Sequence, residues 1–226
     1  APQPGDDHLD AAGLTIAPPL VNGHTHASMT LLRGYGDDLA LMEWLQTRIW
    51  PAEARLTSEH VYWGTRLAAV EMIRSGTLRF WDMYFHVHDV ARAVVDSGLR
   101  ATVSQVILEI PGAPADARPE AAEEGIARLA DAGPLITPCL GPHAIYTVGA
   151  DALRLVAEVS ARHGVPIHIH LAETSGEVED CVREHGLRPA AYLDTIGLLT
   201  PRTVLAHGVH LRSEEHTSEL QSHHDL

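Results

Sequence analysis

The sequence predicts an α/β fold, a parallel (β/α)8 barrel truncated after about six βα units. Three observations lead there. Short apolar runs alternate with longer amphipathic ones over residues 18–211. Gly98, Gly133, Gly164 and Gly186 stand where the amphipathic runs end; glycine is favoured at a helix C-terminus because it adopts a positive φ without a Cβ clash. Three of the apolar runs end in histidine. The chain has 226 residues, short of the roughly 250 of an intact barrel of this kind.

The elements follow in order. Residues 1–17 are rich in Pro, Gly and Asp and read as the remnant of an N-terminal segment or small β domain. The first strand covers Leu20–Asn22. Asp37 and Asp38 read as a helix N-cap pair. Ser58–Arg74 is helical, with Val61, Leu67, Val70 and Ile73 at helical spacing and Gly76 as the stop. Next come strand Thr77–Asp82, helix His88–Asp96 and strand Ala101–Leu108. Pro111–Pro119 is a long loop of the sort that carries substrate contacts in barrels. Helix Pro119–Ala132, strand Leu135–Leu140, helix Ala150–His163, strand Pro166–Leu171, helix Gly176–His185 and strand Thr203–Ala206 complete the series. Residues 212–226, RSEEHTSELQSHHDL, resemble a translated sequencing-library adapter and are set aside as a non-native tail. His216, His223 and His224 are therefore not counted as ligands.

Composition narrows the function. The formal net charge is -14, and arginine supplies every basic residue. So acidic a chain lacks the basic patches that neutralise phosphates, which argues against nucleic acid and against anionic membrane surfaces. No apolar run approaches the roughly 18 residues of a membrane span. No basic segment followed by an apolar run marks a signal peptide. The expected setting is cytoplasmic, with a small-molecule substrate and room for a homo-oligomer. Cys139 and Cys181 are expected as reduced core residues, although one disulfide is conceivable.

The chemistry lies in the histidines. In LVNGHTHA, His24 and His26 are two residues apart at the end of an apolar run, so a strand would point both to one face. In IHIHLAET, His168 and His170 share a strand face and Glu173 follows just beyond. In VLAHGVHL, His207 ends a third strand. Imidazoles from three strands at one rim suit a divalent metal ion. His86 and His88 form a further His-x-His, expected near a helix start rather than at the metal.

The segments GHTHASMTLLRG, WPAEARLT, WDMYFH, GPHAIYT, HLAET and LAHGVHL, in this order, resemble the amidohydrolase superfamily with its TIM-type barrel. The closest likeness is to the 5-methylthioadenosine/S-adenosylhomocysteine deaminase group and the triazine hydrolases. The resemblance implies residues 18–211 as a partial metal-dependent hydrolase barrel. It implies His24, His26 and His170 as ligands of one divalent ion, zinc in the first place and Fe2+ in the second. It makes Glu173 the proton shuttle and His207 the histidine that hydrogen-bonds the nucleophilic water. Glu53 would hold ribose hydroxyls, His143 would contact the substrate and Trp44 would wall the pocket. The implied reaction is hydrolytic deamination of an adenosine-like purine, with guanine, cytosine or a triazine as the alternative substrate, or an inactive fragment. The family's last ligand, an aspartate ending the eighth strand, has no counterpart, and Gln105 stands where a substrate-contacting arginine is expected. Without lysine no carboxylated lysine can bridge two ions, so a single-metal site is implied.

Overall fold

The structure is a computed structural model that describes residues 11–213 and 215. Six parallel strands form one sheet in sequence order: β1 (Leu20–Thr25), β2 (Thr77–Tyr84), β3 (Arg100–Ile107), β4 (Ile136–Pro142), β5 (Ile167–Leu171) and β6 (Thr203–His207). Each neighbouring pair is joined by helical chain. Helices α1 (Leu41–Trp44), α2 (Trp50–Glu53) and α3 (Ser58–Arg74) separate β1 from β2; α4 (Val87–Ser97) and α5 (Ala122–Asp131) follow β2 and β3. Then α6 (Ala150–His163) precedes β5, and α7 (Ser175–His185) and α8 (Pro189–Thr195) precede β6.

The sheet is strongly curled. Six flat strands at about 4.8 Å spacing would hold the outer two roughly 24 Å apart. Instead the rings of His24 on β1 and His207 on β6 have centroids 5.1 Å apart. This is the curvature of a barrel wall, and it is what gathers side chains from distant strands at one mouth. Alternation along β5 shows the two sides of that wall. Ile167, Ile169 and Leu171 pack into the helix layer with Leu153, Val156 and Val178, while His168 and His170 turn to the interior. A second apolar cluster joins α3 and α4 to β2 and β3 through Ala68, Phe80, Val90, Val94 and Val103.

The predicted strands all exist; β1, β2, β4 and β6 run one to three residues further at the ends that carry the site, β5 ends where expected and β3 ends one residue earlier. Two expectations, both on helix caps, are corrected, and α3 buries mostly other residues than those that marked its period. The buried face of α3 is Val61, Gly64, Thr65, Ala68, Ala69 and Met72, whereas Leu67, Val70 and Ile73 are exposed. Small residues line the inner face because α3 lies against the short 3-10 helix Ala27–Leu32, where a Cβ on Gly64 would meet the Ser28 carbonyl oxygen at 2.4 Å. Asp37 and Asp38 cap nothing: α1 starts after Ala40, and Asp38 takes φ 66° in a turn. Gly98, Gly164 and Gly186 are helix C-caps with positive φ, but α5 caps on Ala132 and Gly133 only follows it. Both cysteines are buried free thiols. No helix among the described residues is long and apolar enough to cross a membrane.

Candidate metal centre

All eight residues singled out in the sequence line one cavity of about 400 Å³ at the C-terminal ends of the strands. His24 and His26 come from the end of β1, where the pairing with β2 is irregular between Asn22 and Thr25. His170 comes from β5 and His207 from the last position of β6, in the left-handed region at φ 72°. His24, His170 and His207 each place a ring nitrogen within 4.8 Å of the others'. His26 joins them, its Nε2 lying 3.3 Å from His170 Nε2, and His24 Nε2 lies at the same 3.3 Å.

The far sides of the rings explain this crowding. His26 Nδ1 is 2.5 Å from the Met83 carbonyl oxygen, and His170 Nδ1 is 2.8 Å from the His143 carbonyl oxygen. A carbonyl only accepts, so each Nδ1 carries the ring proton and donates it. Each Nε2 is then a bare lone pair. Two bare lone pairs 3.3 Å apart repel unless a cation lies between them. Metal-bound histidines are oriented in this way, by a hydrogen bond on the nitrogen that does not touch the ion.

Electrostatics point the same way. Burial, with help from the neighbouring imidazoles, lowers the His24 pKa to about 3. Burial lowers His26, and with His26 nearby it lowers His143 to about 4. His170 is also lowered, by burial first and then by His143, His26 and His24. His24, His26, His143 and His170 are held neutral in this way, the state in which imidazole binds a metal. These residues fit a divalent cation.

Around them stands the rest of the site. Glu173 follows β5 and brings Oε1 to 3.5 Å from His207 Nε2. Its backbone N–H donates to Glu177 Oε2 at 2.9 Å, and the N–H of Ala172, itself at φ 50°, donates to Glu177 Oε1 at 2.8 Å. Glu177 was not singled out in the sequence, although Thr174 and Glu177 have the T-x-x-E spacing of a helix N-terminus. His143 Nδ1 is 2.9 Å from Thr147 Oγ1. Glu53 faces the cavity from the end of α2, its pKa raised to about 7 by burial, against the pull of the neighbouring Tyr84 hydroxyl. Trp44 lines the wall with its Nε1–H held by the Tyr35 carbonyl at 3.1 Å. Met29, Leu45, Ile49, Trp50, Met83 and Leu108 make much of the remaining wall apolar. His86 is the N-cap of α4 and His88 lies within it, away from the cluster, as expected. His168 is fully buried, yet it is more than packing: its Nε2 is 2.9 Å from His24 Nδ1.

A family model described as "Amidohydrolase family" matches residues 15–225. The chain belongs to the amidohydrolase family. Among relatives of this amidohydrolase, the 5′-deoxyadenosine deaminase of Methanospirillum hungatei is 50% identical over 209 residues, 92% of this chain and 46% of that protein. The 5-methylthioadenosine/S-adenosylhomocysteine deaminase of Moorella thermoacetica is 48% identical over 214 residues, 93% of this chain and 49% of that protein. A crystal structure of an adenosine deaminase from Xanthomonas campestris with bound zinc superposes with TM-score 0.80 at 40% identity, covering 88% of this chain and 46% of that one. The chain thus spans about half the length of the relatives it matches. The family match runs through the segment read as an adapter-derived tail and gives that reading no support. Of that segment only Arg212, Ser213 and Glu215 lie among the described residues, and Glu215 pairs with Arg188 at 3.0 Å.

Proposed function

We propose that this amidohydrolase chain carries the metal centre and much of the substrate pocket of a hydrolytic deaminase acting on an adenosine-like purine. The expected substrates are methylthioadenosine, S-adenosylhomocysteine or a close 5′-variant. The observation that supports this best is the meeting of bare imidazole nitrogens from β1 and β5 beside Glu173, on the floor of a largely apolar cavity. His24, His26 and His170 would hold one divalent ion, and His207 faces the same space from β6. The zinc in the Xanthomonas campestris relative makes zinc the first candidate. When bound, such an ion lowers the pKa of water from roughly 15.7 to about 7 and supplies a nucleophile at neutral pH.

The chain's own residues then do the following. His207 orients the attacking water. Glu173, within reach of His207, takes one proton from that water and delivers it to the ring nitrogen next to the amino-bearing carbon, and the water's second proton passes to the amino group. That removes charge from the tetrahedral intermediate, and the same carboxylate helps the amine leave as ammonia. Water's oxygen replaces the exocyclic nitrogen on the ring. His143 contacts the base, Trp44 walls it, and Glu53 accepts the ribose hydroxyls.

Ammonia release by the zinc-loaded protein tests this on adenosine, methylthioadenosine, S-adenosylhomocysteine, guanine, cytosine and a chlorotriazine. The expected result is the highest kcat/KM on one of the nucleosides. Turnover of the triazine or a free base, with none on any nucleoside, would replace the proposal with the other heterocycle chemistry.

A further inference from the structure

The two carbonyls that hold His26 and His170 belong to the backbone and can only accept. His24 is held differently. Its Nδ1 faces Nε2 of His168 at 2.9 Å, and His168 Nδ1 faces Ser104 Oγ at 3.4 Å. His168 and Ser104 are both fully buried. The Trp81 ring stands edge-on to His168, with centroids 5.5 Å apart and planes at 82°. On the other side Gly141 leaves room for Ser104, since a Cβ there would meet Ser104 Cβ at 2.7 Å. An imidazole with both nitrogens engaged in a dry interior is an oriented hydrogen-bonding group and not merely packing.

Proton accounting gives it a direction. A neutral imidazole has one ring proton. For His24 to offer Nε2 to a cation, that proton must sit on Nδ1, and it then points at His168 Nε2. His168 must accept there, so its own proton lies on Nδ1 and is donated to Ser104 Oγ. The reverse chain, Ser104 to His168 to His24, would put a proton on His24 Nε2 and close the site to metal. We propose that His168 is a positioning residue for the metal centre: it fixes His24 in the Nδ1–H tautomer and aims Nε2 at the ion, with Ser104 fixing His168 in turn. It differs from the acceptors behind His26 and His170 in being a side chain, and so in being removable by mutation. The proposal rests on the metal-centre reading above.

The test is zinc affinity, measured by competition with a chelating dye on the whole chain, together with the visible spectrum of the cobalt-substituted protein. His168→Leu keeps an apolar side chain beside Trp81 but leaves His24 Nδ1–H buried with no acceptor. It should bind zinc roughly 10- to 100-fold more weakly, the range seen when such outer partners are lost. His168→Gln can place an amide oxygen near the lost nitrogen and should restore most of the affinity. Thermal unfolding of the metal-free proteins separates this from simple loss of packing, because packing alone would not be rescued by glutamine. Long-range 1H–15N NMR of the zinc-loaded wild type needs no variant and should find the His168 proton on Nδ1. A proton on His168 Nε2, or wild-type affinity in His168→Leu, overturns this proposal alone. A wild type that binds no zinc overturns it together with the metal-centre reading.

Discussion

Glu173, beside His207, and Asp82, bonded to the backbone N–H that follows His26, are two carboxylates in contrasting settings. Glu173 opens on the cavity beside His207, with its backbone pinned by Glu177. Replacing it by glutamine preserves shape but removes the proton carrier. Glu173→Gln should therefore lower kcat by roughly 10²- to 10⁴-fold, the usual worth of a positioned acid–base, and leave bound zinc and thermal stability unchanged. Measured turnover within tenfold of wild type would take the proton shuttle away from this residue. Asp82 is sealed inside. Its Oδ1 accepts the Ala27 N–H at 2.6 Å, and Oδ2 has no hydrogen-bond partner among the described residues. Burial raises its pKa to about 7 from 3.8, the Ala27 bond pulling the other way. The folded state thus holds a proton that the unfolded chain has released, and this contribution to stability is lost as pH rises from the ordinary aspartate range through about 7. Asp82→Asn keeps the Ala27 bond and cannot ionise. In metal-free protein its stability relative to wild type should improve between about pH 4 and about pH 8. Denaturant unfolding at several pH values checks this, and a pH-independent difference would refute it. Glu173 was legible in HLAET because it follows a strand of histidines. Asp82 and His168 were not, because what they do depends on partners 55 and 144 residues away in sequence.

At the scale of elements, the loop that carries His26 is set by how closely α3 approaches it. Thr30 Oγ1 donates to the Gly64 carbonyl at 2.7 Å, and Ser28 Oγ lies 2.8 Å from Thr65 Oγ1. Gly64→Ala would place a methyl 2.4 Å from the Ser28 carbonyl oxygen. Alanine's better helix propensity contributes about 1 kcal/mol in its favour. The clash opposes this with about 1–3 kcal/mol or more, since it meets rigid backbone and not a side chain that can turn away. The expected net result is a lower denaturation midpoint and weaker zinc binding through the displaced His26. An unchanged midpoint would mean that the helix and the loop separate at little cost. The regular βα units were readable because short strand-like runs alternate with longer amphipathic helical ones; β3 and β5 are buried along nearly their whole length. Residues 27–53 were not readable. They form a 3-10 helix, two four-residue helices and a π-helical turn, and several of their apolar side chains face the cavity. Pro189–Thr195 is seven residues long, too short for a helical period to register. In α3 the helical period was legible, yet three of the four large residues that marked it, Leu67, Val70 and Ile73, lie on the outside.

For the whole molecule, the arc of six strands leaves β1 and β6 each with one hydrogen-bonded neighbour among the described residues. The strand order, the barrel curvature and the shared mouth could be foreseen from the histidine-ended strands, but what covers these two edges could not. Several of the exposed apolar residues lie on α3 and on β1. Trp63, Leu67, Val70 and Ile73 form a stripe along α3, with Trp63 57% exposed, and Leu20 on the edge strand β1 is 62% exposed. An exposed apolar helix stripe and an open strand edge each favour self-association. The net charge of -14 opposes it, but only over the Debye length, about 10 Å at 0.1 M salt and about 3 Å at 1 M. At low salt repulsion should keep copies apart. At high salt the repulsion is screened while apolar burial is not, so the sedimentation coefficient of the 226-residue chain should rise with both salt and concentration. Replacing Leu67 and Val70 together by glutamate adds charge in the middle of the stripe and touches no residue of the cavity. That double variant should remain monomeric at salt concentrations where the wild type associates, with unchanged zinc affinity. Association that weakens as salt is added would show that ion pairs between copies, and not the α3 stripe, hold them together.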